Sequence, residues 1–551
     1  MKFSFREREE NLERLNREEF DILVIGGGIT GVGIAWDAAL RGFKTALLEK
    51  NDFGSGTSSR SSRLIHGGLR YLRYFQLDLV YEACKERFLL LNRLAPHMVR
   101  PLPFIYPSYR GRGIGLLELR AGMWLYDLLA FSRRIGQYRI LNSAEALEVE
   151  PVLEKSGLRG AAFFYDCLGN DSQITIATAK AAHQAGAVCA NYVEAVGVLK
   201  SRGKVRGVAA RDLLSGKETE VKARVVVNAA GPWADMVLAM ESPGYTEGLR
   251  LTKGVHLVVR RERIGHRNAV TLSSPRDGRF VFLIPWWQFT IIGTTDTDYE
   301  GSPDEVYAGP EDVDYLLETV NFNLPHLALK EEDVISTFAA LRPLAFKGGT
   351  SPYEVSRQHR IFETQGGMLC IAGGKFTTYR KMACDLVNRA AEKLFREFSI
   401  RPVARCRTQL STLPGGERLS AEEISRALRE VTGLDHETLD YLAFSYGSGL
   451  ANLLKLIQAD PSLAQPIVSG LPYLKAQIPY AIHYEMALTL RDFMMRRTRL
   501  LYEAPDGGLS VAAEVANLMA AELGWDKARI QEELAAYRRE WEKTQRFRSG
   551  R

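Results

Sequence analysis

No stretch of the 551 residues stays uncharged and apolar for the ~20 positions a helix needs to cross a bilayer. The opening Met1 to Phe20 is dense in Glu and Arg and carries no apolar h-region. A signal peptide is therefore not expected; a charged leader helix over 1–19 is. Cysteine is sparse. The six thiols (Cys84, Cys167, Cys189, Cys370, Cys384, Cys406) form no C-x-x-C pair and have no histidine at zinc spacing. They read as reduced thiols of a cytoplasmic protein, with no metal site. Internal repeats are missing, which excludes solenoids and propellers. Excess charge is also small: +6 over a large surface gives weak steering of anionic ligands, and it lacks the clustered basic face that nucleic acid requires.

What is present is an ordinary globular composition, 46% hydrophobic and 25% charged, in a chain long enough for about three domains. After Asp21, Ile22-Leu23-Val24-Ile25 is a continuous apolar run, the pattern of a strand buried on both faces. A glycine turn follows, then a helical period from Ile29 to Leu40, then a second strand, Thr45 to Leu48, ending at Glu49. Asn51 to Arg63 is rich in Ser and Gly and reads as a loop. Residues 77 to 150 read as mainly helical. A helix capped by Asp171-Ser172 and running from Ile174 to Ala185 precedes a hairpin, Val196–Leu199 with Val205–Val208. Val225–Val227 is another buried strand. Gly254–Val259, Arg279–Ile284 and Phe289–Ile292 suggest an antiparallel sheet in a second domain. Met368–Ala372 is a buried strand leading to a helix from Thr378 to about Phe395, and beyond Pro402 the chain is almost all helical.

The first chemistry-bearing segment is Gly26-x-Gly28-x-x-Gly31, answered by Glu49. Glycines here allow a tight turn, and the helix amino terminus offers free N–H groups to a pyrophosphate. Glu49 is placed to accept from ribose hydroxyls and to repel a 2′-phosphate, so a dinucleotide other than NADP is expected. Two further strand-to-glycine turns lie far downstream, at Val227–Gly231 and Cys370–Gly374. A nucleotide domain split by long insertions fits FAD better than NAD. The Thr57-Ser58-Ser59-Arg60-Ser61-Ser62 loop either supplies hydroxyls to that cofactor or is a solvated linker.

These residues carry a resemblance. The glycine pattern with Glu49, Thr57 to Tyr71 (including His66-Gly67-Gly68-Leu69-Arg70-Tyr71), Val227 to Trp233, Lys253-Gly254-x-His256, Ile292 to Asp296, and Gly373-Gly374-Lys375-x-Thr377-Thr378-Tyr379-Arg380 together resemble the FAD-dependent glycerol-3-phosphate dehydrogenases of the D-amino-acid-oxidase-like superfamily. Arg491 to Arg499 looks like that family's helical carboxy-terminal domain. The likeness spans nearly the whole chain. It implies an α/β fold: a discontinuous Rossmann-like FAD-binding domain (20–75, 156–240 and 350–398), a β-rich substrate-binding cap (76–155 and 241–349) and an all-helical C-terminal domain (399–551).

The expected FAD contacts are Gly26, Gly28, Ile29, Thr30, Gly31, Glu49, Lys50, Thr57, Ser58, Ser61, Ser62, Leu64, His66, Gly67, Gly68, Val193, Ala230, Gly231, Trp233, Gly374, Lys375, Thr377 and Thr378. Alcohol oxidation by a flavin needs a base for the hydroxyl proton and a hydride acceptor at flavin N5. His66 is the best base, because imidazole titrates near working pH; a lone histidine is more often structural, and the resemblance is what implies one here beside the flavin. A phosphate dianion needs several cationic donors, and Arg70, Arg342, Arg357 and Lys375 match the family's substrate-phosphate cluster, with Tyr71 beside them. Lys375 serves either phosphate or the flavin N1/O2 edge; Lys253 and His256 serve the flavin edge or only cap a strand. Catalysis is expected from His66 and Arg342. The resemblance implies sn-glycerol 3-phosphate as substrate, dihydroxyacetone phosphate as product, a membrane quinone as acceptor and a homodimer. An oxygen-using oxidase, an amine or amino-acid oxidase and a non-catalytic flavoprotein are the rival readings. The apolar helix Leu116 to Phe131, with arginines at both ends, is either a core helix or a surface that dips into the inner face of the cell membrane.

Overall fold

The computed structural model describes residues 2–245, 248–344, 359–417 and 433–549, apart from the side chains of Arg70, Arg73, Tyr74 and Ser132. Arg357 therefore lies outside the described residues, and of Arg70 only the backbone is described. The leader is a helix, Phe5–Arg17, started by Ser4, whose N–H donates to Glu7 Oε2 at 3.1 Å. Arg8 ties it down by donating to the Asn191 carbonyl at 2.9 Å and to Asp212.

The apolar runs form an eight-stranded sheet in the order Arg360–Glu363, Leu369–Ala372, Glu218–Asn228, Glu19–Ile25, Thr45–Leu48, Val188–Ala190, with the hairpin Val193–Ser201 and Lys204–Asp212 attached to Glu218–Asn228. The five strands from Leu369–Ala372 to Val188–Ala190 are mutually parallel. Being covered on both faces, they read as unbroken hydrophobic runs. Helices Ile29–Leu40, Asp171–Gln184 and Tyr379–Phe398 form one apolar layer over the sheet through residues such as Val32, Ala179 and Leu386. Asn170, not Asp171, caps the second of these.

A ten-stranded sheet forms the other half, in the order Thr297–Asp298, Arg250–Arg260, Phe289–Gly293, Phe280–Trp286, Ala269–Ser273, Val99–Tyr109, Leu158–Gly169, Leu64–Ile65. Val334–Leu344 pairs with Arg250–Arg260, and Arg139–Asn142 with Leu158–Gly169. The antiparallel runs expected between 250 and 300 are here. Residues 77–150 are mainly helical, as expected, but Val99–Tyr109 inside them is an eleven-residue strand. Pro101, Pro103 and Pro107 disguise it, since proline inside a run argues against a strand. All three stand at even spacing, so their missing N–H groups fall on one side, and the ladder to Leu158–Gly169 continues past them. Leu64–Ile65 and Leu158–Gly169 pair with each other at the far end of this second sheet.

The carboxy-terminal helices, among them His436–Tyr446, Gln477–Tyr484, Leu509–Leu523 and Lys527–Gln545, have no core of their own. Leu442, Phe493 and Tyr537 share one hydrophobic cluster with Phe104, Trp286 and Phe338 of the second sheet. Among the described residues, no helix is long and apolar enough to cross a membrane.

Candidate active site

Parallel register brings the distant turns together. Ile25 stands beside Asn228 and Leu48, and Asn228 beside Cys370, so the turns that follow these strands open on one edge of the sheet. There they line a cavity of about 440 Å³ through Gly26, Gly28, Ile29, Thr30, Ala230, Gly231, Gly374 and Lys375. Gly26 has φ +106°, and a Cβ on it would sit 2.6 Å from the Ala229 carbonyl; a Cβ on Gly31 would lie 1.8 Å from the Gly26 carbonyl. The loop thus hugs its neighbour strand, and its glycines put no side chain of their own between the start of the Ile29–Leu40 helix and the cavity, which suits an anion.

Glu49 lines the same space. Its carboxylate accepts from Gly27 N–H at 2.6 Å and Asn51 N–H at 2.8 Å, while burial pushes its pKa up. Lys50 pairs with Asp304 at 2.9 Å, and its ammonium lies 4.9 Å from the centre of the Trp233 ring. Ser58 Oγ accepts from Ile29 N–H at 2.9 Å, and Thr57 Oγ1 donates to the Leu341 carbonyl at 2.6 Å, so the serine-rich segment is a fixed cavity wall. Ser61, Ser62, Leu64, Gly68, Val193, Trp233 and Thr377 also line it.

The expected chemistry converges on the same cavity. His66 lines it, with its backbone N–H donating to Thr377 Oγ1 at 3.3 Å. Lys375 Nζ lies 3.5 Å from the centre of the Tyr71 ring. Arg342 donates to Thr294 Oγ1 at 3.0 Å and to Asp296 at 3.2 Å, which fixes its fork at the wall. His256 bonds Ser62 Oγ at 2.7 Å and stacks on Phe338, with ring centres 4.8 Å apart. Its pKa is pushed down to about 3, by burial first and then by Arg342 and Arg63. It therefore offers a neutral hydrogen bond, not a charge. Phe104, Phe164, Phe280 and Phe282 form an aromatic part of the wall.

Among the fully described residues, four of those expected are not on the cavity lining. Lys253 pairs with Asp312 at 2.6 Å, a satisfied ion pair beside it. Gly31, Gly67 and Thr378 act from behind: a Cβ on Gly67 would strike the Tyr126 hydroxyl at 2.2 Å. Sequence reasoning missed Arg279, which lines the wall, and the support beneath His66. Gly67 N–H donates to Asp166 at 3.0 Å, and that buried carboxylate also accepts from Arg87 and from Tyr126 at 2.9 Å. It also missed Asp171, which accepts from Ser61 Oγ at 2.8 Å and pairs with Arg499 of the carboxy-terminal region. Arg499 was visible in an arginine-rich run, but no local pattern revealed its partner.

Residues 21–380 match the family model described as FAD dependent oxidoreductase, and residues 406–530 match that of the C-terminal domain of alpha-glycerophosphate oxidase. The chain is 36% identical over 533 residues to the aerobic glycerol-3-phosphate dehydrogenase of Staphylococcus saprophyticus, covering 95% of each. It belongs to the FAD-dependent glycerol-3-phosphate dehydrogenase family. Glycerol-3-phosphate dehydrogenase 2 of Mycobacterium tuberculosis is 39% identical over 526 residues, covering 95% of this chain and 88% of its own. The crystal structure of the Bacillus halodurans glycerol-3-phosphate dehydrogenase complexed with FAD superposes with a TM-score of 0.81 at 32% identity, covering 98% of each chain. This family member is an oxidoreductase with FAD as its cofactor. Its own residues fit that group: side-chain-free turns at a helix start suit the pyrophosphate, and Glu49 suits a ribose.

Proposed function

We propose that this enzyme oxidises sn-glycerol 3-phosphate to dihydroxyacetone phosphate and passes the electrons to a quinone, working as a cytoplasmic homodimer docked on the inner face of the cell membrane. The observation that carries the reading is that Arg342, Lys375 and His66 share one cavity with the FAD cradle. Bound FAD supplies a two-electron acceptor. Arg342 and Lys375 hold the phosphate dianion, with Arg70 and Arg357 completing the set. His66 takes the hydroxyl proton, and the four phenylalanines exclude water from the reacting carbon.

The membrane reading rests on the Leu116–Ala130 helix. It buries Leu119, Met123 and Tyr126 inward yet leaves Leu117 81% and Trp124 60% exposed, with Phe131 following at 69%. A soluble face does not need that second apolar side; a lipid interface does.

Sn-glycerol 3-phosphate added without oxygen is expected to bleach the flavin band at about 450 nm, and an unchanged spectrum rejects the substrate. The acceptor is tested separately. Turnover should rise with a soluble quinone analogue, whereas equal turnover on oxygen alone, with peroxide formed, makes the enzyme an oxidase.

A further inference from the structure

Behind the FAD domain, away from the cavity, two of the six cysteines meet. Cys384 lies on the Tyr379–Phe398 helix and Cys406 on the strap that leads into the carboxy-terminal helices, and their sulfurs lie within 4.8 Å of each other and of the Asp37 carboxylate. Both are half-buried, whereas Cys84, Cys167, Cys189 and Cys370 are buried. The pair is set among hydrogen-bond donors. Arg41 reaches Cys384 Sγ at 3.5 Å, Arg380 reaches Cys406 Sγ at 3.9 Å, and the Thr408 hydroxyl stands 3.2 Å from Cys406 Sγ. Each guanidinium is also paired with a carboxylate, Arg41 with Asp37 and Arg380 with Glu86, so the pocket holds both signs of charge; a metal cation there would have only three ligands among the described residues.

We propose that Cys384 and Cys406 are a redox-active dithiol that a peroxide closes to a disulfide, stapling the strap onto the FAD domain. The Cys406 thiolate attacks one peroxide oxygen, breaking the O–O bond to give a sulfenic acid and one water once a proton is added. The Cys384 sulfur then attacks that sulfenic sulfur, its proton leaving with the hydroxyl as a second water. Two thiols are oxidised and one hydrogen peroxide is reduced to two waters. The hydrogen bond from the Cys384 thiol, with help from Thr408, holds the Cys406 thiol below its ordinary value against the cost of burial. The same pairing pushes the Cys384 thiol up, so the attacking and resolving roles are distinct.

The test treats the FAD-loaded enzyme with hydrogen peroxide, counts thiols in the native state and maps peptides. The expected result is the loss of two thiols, a peptide joining Cys384 to Cys406, and recovery with dithiothreitol. In Cys384→Ser, a dimedone adduct should collect at Cys406 instead. A linked peptide between any other pair, oxidation of one sulfur to the sulfonic acid without pairing, or tightly held zinc whose removal is needed before any thiol reacts would each overturn the proposal.

Discussion

His256 reaches the cavity with one ring nitrogen on Ser62 and its ring against Phe338, and burial holds it neutral down to about pH 3. His266, bonded to the Asn268 carbonyl and Thr290, is likewise held down to about 4 by burial. Both rings begin to take up protons near pH 6.5 in the unfolded chain. Between these limits the unfolded state binds more protons, so stability must fall as pH drops from about 6.5 towards 4. The slope approaches roughly 1.4 kcal/mol per pH unit for each fully buried ring. Denaturation midpoints at pH 7, 6 and 5 check this, and His266→Asn should flatten the fall; equal slopes in the variant and the parent refute it. His66 makes a different prediction. His66→Asn should keep its FAD but reduce it with substrate ~10²-fold more slowly in stopped flow, the loss expected for a general base. Arg342→Ala should raise KM for a phosphorylated substrate more than it lowers kcat.

The serine-rich loop shows how an element acquires its shape from far away. Arg499 donates to the Ser59 carbonyl at 2.9 Å and pairs with Asp171, which itself holds Ser61. Arg496 and Arg497 together grip Asp52, just beyond Glu49, with Arg496 Nε at 2.6 Å. Removing one member of such a buried pair costs about 3–5 kcal/mol because the other charge stays stranded. Arg499→Ala should therefore lose FAD on dialysis while His266→Asn retains it, which absorbance of the dialysed protein would decide. Local order of this kind explains what was legible in advance. The glycine turn, its helix and the buried parallel strands announce themselves through runs of adjacent residues, as does the hairpin around Gly203. Val99–Tyr109 did not, because its prolines mimic a breaker. Arg499 and Asp171 did not either, because no pattern within a few residues records an ion pair closed across 328 positions.

Across the whole molecule, the carboxy-terminal helices are structural partners of the second sheet. The Trp286 indole N–H donates to Glu503 at 2.9 Å, and Thr337 donates to the Thr544 carbonyl at 2.9 Å. A chain ending near residue 400 would expose the shared apolar cluster. It should be recovered as aggregate without flavin, and a monomeric yellow fragment would show the opposite. The exposed apolar side of the Leu116–Ala130 helix carries the docking on lipid proposed above. Leu117→Glu with Trp124→Glu should abolish co-sedimentation with anionic vesicles yet leave bleaching by substrate intact.

The alignment of three glycine turns on one sheet edge also sets a timetable for synthesis. Gly26 leaves the ribosome early, Ala230 midway and Gly374 late, and the pairing of Asn228 with Cys370 closes only when all have emerged. A topology with so many distant pairings folds slowly. The nascent protein must therefore wait, its dinucleotide pocket unfinished, until most of its length has been translated.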